Sequence, residues 1–496
     1  MIRKATLLLA IMLLQLPHVA AEEADSVRHI TLDEAITIAR TQSVDAAVAL
    51  NKLKTSYWEY RTFRAGLLPE VGLSATLPAY NSSYSSYQQS DGSYTFVRNN
   101  YLSMNGGISV TQNIWPTGGT LSLNSSLDFL KQLDGNNAER YMSVPVVLRL
   151  TQPIFGVNNI KWSRRIEPMR YQEAKANFLS ETEQVTMSAI NYFFELLLAH
   201  ENVGISKLNL RNAEKLYEVA KAKRSMGQIS ENDLLQMELN TLDARSALTN
   251  NESSLKSCMF RLRSFLAISE EVNLVPVMPQ MLPTVTLNYN EVLDKALANN
   301  SFAKNIMRRR IEAEYAVAQA RGNQRQINLY AQVGLTGTER EIQKAYGDLR
   351  ENVAVEVGFS IPLLDWGKRR GRVKIAESNR DVTESRLRQE TMNFSQNLFV
   401  LVEQFNNQQM QLQIADKSDR IAQHRYSTNI ETFMIGKIST LDLNDSQSKK
   451  DEARRKHISE LFYYWYYYYQ LRSITLWDFN LNCNIDADFE KIIKGR

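Results

Sequence analysis

Beyond its first residues, this chain of 496 amino acids has no run apolar enough to cross a bilayer as a helix. If the mature chain enters a membrane, it must do so as strands, whose backbone groups can pair with one another. There are only two cysteines, Cys258 and Cys483. In an exported chain they could form one bridge, and spacing alone leaves that open. Beyond the N-terminal segment the histidines are His29, His200, His424 and His457, widely separated and without paired metal spacing. No catalytic signature is present, so no enzyme, cofactor or metal is expected. "GKIS" at 436–439 lacks both the earlier glycine and the preceding strand of a phosphate loop. The formal net charge is only +4 and basic residues are scattered, which argues against a nucleic-acid partner. Glycine and proline are both absent from Arg372 to Ile435, and the stretch from Met169 to Met226 has only Gly204. Either residue costs about 1 to 3 kcal/mol inside a helix, so these gaps predict two very long helices.

What is present begins with a secretory pattern: Arg3 and Lys4, an apolar run from Ala5 to Leu16, then Ala20 and Ala21 before an acidic switch. It reads as a cleaved signal over 1–21, with Glu22 the first mature residue. The rest is written twice. "SMGQISENDLLQME" and "MIGKISTLDLNDSQ" superpose Gly227 on Gly436, Ile229 on Ile438, Ser230 on Ser439, Asp233 on Asp442 and Leu234 on Leu443. The same shift pairs Pro153 with Pro362, Glu181-Thr182 with Glu390-Thr391, Tyr217 with Tyr426, and Ala244-Arg245 with Ala453-Arg454, without a gap. A common register over such a span is an internal duplication, with a unit too long for a solenoid.

Each half predicts a helix, strands, a very long helix, a tight turn and a shorter helix. The halves open with "TLDEAITIAR" and "NYNEVLDKAL", where Thr31 with Glu34 and Asn288 with Glu291 form capping-box patterns ahead of first helices of some thirty residues. Alternating segments predict about four strands in the first half and two in the second, with a long Ser/Tyr-rich loop and the short turn "WPTGG". Long loops on one side and short turns on the other suit an outer-membrane barrel. Leu387, Phe394, Leu398, Leu401, Phe405, Leu412 and Ala415 keep a seven-residue rhythm that implies coiled-coil packing. A helix of about 70 residues reaches roughly 105 Å, and the two shorter helices end to end span about the same, so each half can form two columns of equal height. The consecutive aromatics Phe462 to Tyr469 occupy every face of a helix and are expected to pack between neighbours.

This duplicated layout, with "TLDEAI", "LTQPIF" and the Gly-x-x-Ser-x-x-Asp hairpins, resembles the TolC-type outer-membrane efflux family over nearly the whole mature chain. The resemblance implies a mainly α fold with a membrane β portion: long-helix hairpins forming a trimeric α-barrel tunnel in the periplasm, capped by an antiparallel β-barrel in the outer membrane. The units are then 1–21 signal, 22–284 first repeat, 285–477 second repeat and 478–496 tail. Implied partners are a periplasmic adaptor, an inner-membrane pump, outer-membrane lipid and two further copies of the chain. Asp442 and Asp445 match the family's tunnel-constriction aspartates, and one-turn spacing would let a trimer stack two rings of three carboxylates. Ser439 with Asp442 is also a plain capping box. The first-repeat equivalent of Asp445 is Gln236. Gly227, Ser230, Asp233, Gly436 and Ser439 form the hairpins into which an adaptor would dock. The family's tip-locking arginine is replaced by Ile438 and a tyrosine by Phe433, so the lock must differ, and Asp233 has no inherited partner. The implied function is the exit duct of a tripartite efflux system. Type I protein secretion is the rival within the family, and an exported coiled-coil scaffold without a pore the rival outside it. With six strands per chain a trimer closes 18. If the extra hairpin around "WPTGG" lies outside the wall, it closes 12, the number favoured on family grounds.

Overall fold

The computed structural model describes residues 27–134, 138–280, 286–324, 327–359, 364–435 and 437–494. The signal segment, Pro362, Gly436 and the junction at 284/285 lie outside them. The first repeat runs β1 (Val27–Ile30), α1 (Leu32–Gln42), α2 (Val44–Ala65), β2 (Glu70–Gln88), β3 (Tyr94–Ile114), β4 (Gly119–Gln132), β5 (Glu139–Ile154), α3 (Asn159–Ser225) and α4 (Glu231–Leu266). After β6 (Asn273–Pro276) come α5 (Tyr289–Asn299), α6 (Ser301–Gly322), β7 (Ile327–Glu339), the short α7 (Ile342–Ala345), β8 (Arg350–Phe359), α8 (Lys368–Met434) and α9 (Thr440–Thr475). A tail of β9 (Trp477–Asp478), β10 (Cys483–Asn484) and α10 (Phe489–Lys494) closes the chain.

The duplication is reproduced residue for residue. Both long helices have 67 residues, both return helices 36, and both first segments are split into 11 and 22. The shift that links Ser230 to Ser439 also carries both ends of α3 onto α8 and of α4 onto α9. It even carries Ala267 onto Leu476, which end the return helices in left-handed conformations of φ +54° and +48°.

Several expectations need correction, beginning with the Ser/Tyr-rich stretch 81–100, which is not a long loop but strand of β2 and β3 around a short turn. Each first helix is broken rather than continuous, at Ser43 and at Asn300, whose extended backbones (ψ near 150°) end one helix and begin the next. The side chains supply the reason. Ser43 Oγ accepts the Ala46 N–H at 3.1 Å and Asn300 Oδ1 the Phe302 N–H at 2.7 Å, so each N-cap bond competes with helix continuation. The capping box at Thr31 and Glu34 is present, but Asn288 accepts the Asn290 N–H, and no reciprocal bond from Glu291 completes a box.

β2, β3, β4, β5, β7 and β8 form one antiparallel sheet in that order. The hairpin turning at "WPTGG" is therefore an integral part of the sheet, because β4 is bonded along its length to β3 and β5. Its expected separation from the other strands is thus not seen, and the sheet holds all six. Cross-strand pairing threads Val71, Val110, Leu123, Leu148, Val333 and Val353 into a single apolar row across all six strands. One residue along each strand, on the opposite face, Glu70, Thr111, Ser122, Arg149 and Gln332 make a polar row that ends at Ala354 on β8. Val71, Leu148, Val333 and Val353 are exposed, so none of the described residues covers the apolar row at these positions.

The core lies in the helices. Phe193, Leu197, Leu262, Leu401, Phe405 and Tyr464 belong to one large cluster, joined by α1 and α5. Of the heptad positions, six are buried and Phe394 packs against the cluster. In the aromatic run Tyr464, Trp465, Tyr468 and Tyr469 are buried and Tyr463 is exposed, as packing between neighbours requires. Below it Tyr468 Oη donates to Asp478 at 2.7 Å, and Arg472 bridges Asp478 to the buried Glu183 of α3. Cys258 is buried and Cys483 exposed, and the two are not paired. Among the described residues no helix is long and apolar enough to cross a membrane, and no acidic, histidine and cysteine group is arranged to hold a metal.

Candidate functional site

The two hairpin tips sit where α3 meets α4 and α8 meets α9. At the first, α3 ends at Ser225 and Gly227 turns the chain with φ +72°. A side chain there would meet no atom within 4 Å, so glycine is required by backbone conformation and not by crowding. The Gln228 N–H closes back on Lys223 O at 2.9 Å. At the second tip the Lys437 N–H reaches Thr432 O at 3.1 Å, the bond equivalent to that of Gln228 on Lys223.

Each return helix then starts with a reciprocal cap. Ser230 Oγ accepts the Asp233 N–H at 3.1 Å while Asp233 Oδ2 accepts the Ser230 N–H at 3.2 Å. Ser439 and Asp442 repeat this at 3.2 and 3.3 Å. Each serine hydroxyl also donates to its aspartate at 2.7 Å. Asp233, which inherits no partner from the resemblance, is thus held by its own N-cap. Hydrogen bonds from the serine hydroxyl, then from the serine backbone, keep Asp233 and Asp442 below the usual carboxylate range. Arg425 adds a weaker pull on Asp442.

Asp445 behaves differently. Its Oδ2 accepts from Arg425 Nη2 of α8 at 2.8 Å. The two acids are one turn apart, yet one is held by Ser439 behind it and the other by the facing helix. Within one chain they do not form an unpartnered stack of carboxylates. Arg425 was not singled out by sequence reasoning. Its signal was available in hairpin register, since it precedes the turn by nearly as many residues as Asp445 follows it.

Above the tips the two hairpins are joined. Leu216, Ala220, Met237, Tyr426 and Leu443 form a small buried cluster of their own. The Tyr426 hydroxyl accepts from Asn212 of α3 at 3.2 Å and donates to Gln447 of α9 at 3.3 Å, and Lys450 lies 4.5 Å from its ring centroid. Burial pushes this hydroxyl's pKa upward, so it stays a neutral donor. Asn209 Nδ2 donates to Asp451 Oδ2 at 2.6 Å, and Lys450 pairs with Asp451 at 3.0 Å. A cleft lined by Asn209, Met237, Asn240, Gln447 and Asp451 separates the first hairpin from α9.

The family described as outer membrane efflux protein matches residues 36–267 and 292–460. No curated protein matches the chain. Among solved structures, the Campylobacter jejuni CmeC outer membrane channel superposes with a TM-score of 0.66 at 14% identity, covering 94% of this chain and 88% of that one. The outer membrane protein VceC of Vibrio cholerae gives 0.62 at 13%, covering 92% and 97%. The open-state MtrE outer membrane channel of Neisseria gonorrhoeae gives 0.59 at 14%, covering 92% and 91%.

Proposed function

Because the chain belongs to the outer membrane efflux protein family, we propose that it is the exit duct of a tripartite efflux machine, a passive conduit that exports small molecules through the outer membrane. Three copies close their sheets into one barrel and their helical hairpins into a periplasmic tunnel. A periplasmic adaptor docks at the tips, around Gly227, Ser230, Asp233, Gly436 and Ser439. An inner-membrane pump supplies the energy.

The observation that carries this reading is the apolar row from Val71 to Val353. An exposed aliphatic face backed by a polar one suits a wall between lipid and water. A strand of about 9 to 11 residues spans the hydrocarbon layer, and even β8, with 10, is long enough. The sheet leaves two edges, β2 and β8, with unpaired backbone groups that lipid cannot satisfy. Joining β8 of one copy to β2 of the next removes all edges, and six strands per chain make an 18-stranded barrel. A pore-less scaffold has no use for such a face.

At the tip, Arg425 and Asp445 constitute the gate pair in place of the absent lock at Ile438 and Phe433. Asp442 keeps the helix start in register, and Asp445 faces the constriction. The test is the purified chain in planar bilayers, with its detergent-corrected mass. Three copies with stepwise conductance, and drug accumulation in cells lacking the chain, are expected. A monomer without conductance would support the scaffold, and loss of protein export with normal drug efflux would support type I secretion.

A further inference from the structure

The hairpin of β2 and β3 outgrows the sheet. β3 pairs with β4 only from Tyr101 downward, and Asn100 O still accepts the Leu133 N–H, so it is Ser83–Gln88 and Tyr94–Asn99 that ladder with each other alone, a ribbon roughly 20 Å long at 3.4 Å per residue. β2 shifts register between Thr76 and Ala79, and this extra residue changes which positions face outward. Tyr80, Ser82 and Tyr84 therefore continue the face of Val71 and Leu73, while on β3 Arg98, Phe96 and Tyr94 continue that of Val110 and Ile108.

Along this one face the chemistry changes from aliphatic to tyrosine alternating with serine. Tyr80, Tyr84, Tyr94 and Phe96 are 62 to 75% exposed, far more open than rings that serve a core. An exposed aromatic face of this extent marks a binding surface. Lys131 of β4, opposite Leu102 on this face, is paired with Glu139 at 2.8 Å, and the ribbon's own cation is Arg98. It is already engaged, with Nη2 on Ser82 Oγ at 3.4 Å and Nε 3.7 Å from Asp134. A phosphate would find no free positive charge. The flat apolar faces of tyrosine, each with a hydroxyl at its edge and serine hydroxyls between, match instead a ligand that is apolar on its faces and hydroxylated around its rim. That is the chemistry of a pyranose. Tyr84 lies opposite Arg98 and hence diagonal to Phe96, about 7 to 8 Å away, a spacing at which two rings can grip one or two sugars.

We infer that the outward face of the β2–β3 ribbon binds the saccharide chains of glycolipid in the outer leaflet. The inference rests on the outer-membrane placement above. The occupant follows from continuity: the face begins at the aliphatic row that meets lipid and rises from it, where a glycolipid carries its sugars. Across a subunit joint, β8 pairs no higher than Arg350 with Thr336 and leaves the ribbon uncovered.

The test uses the full-length mature chain assembled in detergent and saturation-transfer NMR from its aromatic resonances. The probes are the lipid-free polysaccharide released from lipopolysaccharide by mild acid and, separately, lipid A. Transfer to sugar protons of the polysaccharide is expected, with affinity falling at least tenfold in the double variant Tyr84→Ser, Phe96→Ser and less than twofold in Arg98→Gln. Absence of transfer in the unaltered protein overturns the inference. So does binding that lipid A alone displaces completely, or that Arg98→Gln abolishes, since either assigns the site to phosphate. Self-association lost in the double variant without sugar transfer would assign the face to a second copy and overturn it equally. Conductance in planar bilayers is recorded on the same preparations. A conducting channel that ignores sugar sinks only this inference, whereas a chain that binds sugar without conducting sinks the duct and keeps it.

Discussion

Arg425 of α8 and Asp445 of α9 are joined at 2.8 Å across the second hairpin, while the residue matching Asp445 in the first repeat is Gln236. The duplication therefore built two tips of the same backbone and gave only one of them this ion pair. Both side chains are half exposed, so the pair contributes at most about 1 kcal/mol to stability. In the proposed trimer its effect on permeating ions is larger, because a narrow ring would lower the effective dielectric and unit charges at 4 Å would then interact by about 4 kcal/mol instead of about 1.

Arg425→Gln should uncover the Asp445 carboxylate and raise cation preference at least twofold, with stronger block by multivalent cations. Asp445→Ala should lower both, and the double variant should follow Asp445→Ala. Single-channel reversal potentials in a salt gradient measure this. If Asp445→Ala leaves selectivity and block unchanged in an assembled trimer, Asp445 does not line the constriction.

The serine caps carry a pH signature. The folded pKa of Asp233 and Asp442 is lowered from 3.8 by the serine hydrogen bonds, so their contribution is fully present above 3.8 and is lost as pH falls through the lowered values. Amide exchange at 231–236 and 440–445 should accelerate relative to the helix middles as the pH is taken down from 3.8, after correction for intrinsic rates. Ser439→Ala should produce the same fraying at neutral pH at a cost of about 1 kcal/mol. Unaltered exchange in that variant would show that the cap is not what holds the tip.

Glu183 holds the top of the bundle together. It is 2% exposed and receives Arg40 of α1 at 2.7 Å and Arg472 of α9 at 3.3 Å. Removing it leaves Arg40 with the Thr186 hydroxyl and Arg472 with Asp478 alone, so Glu183→Ala should destabilise the chain by about 3 kcal/mol and loosen the tail that Arg472 ties to α3. Denaturant midpoints and protease susceptibility of the C-terminus read the two effects. A variant with wild-type midpoint and an intact tail would refute the assignment.

The faces of the sheet should respond oppositely. Val333→Lys puts a charge in the apolar row at a cost of about 2 to 4 kcal/mol near the bilayer middle, whereas Gln332→Lys on the polar face is tolerated. Folding yield into lipid vesicles, followed by heat-modifiable gel migration, measures both. Equal yields would mean that the row does not face lipid.

Much of this protein is determined by its sequence alone, because the relevant physics is local or periodic. Absence of glycine and proline sets the long helices, a common shift sets the duplication, and alternation sets the strands and their count per half. The serine caps need only residues three apart. Tertiary structure decided what depends on residues distant in number. Continuous pairing from β3 through β4 to β5 put the extra hairpin inside the sheet, since register is settled by neighbouring strands and not by any one segment. The breaks at Ser43 and Asn300 fall within runs of good helix formers, where a side-chain cap overrides propensity. Asp445 reads alone as half of a carboxylate pair. Only the folded hairpin brings Arg425 to it, because electrostatic partners are chosen by distance in space.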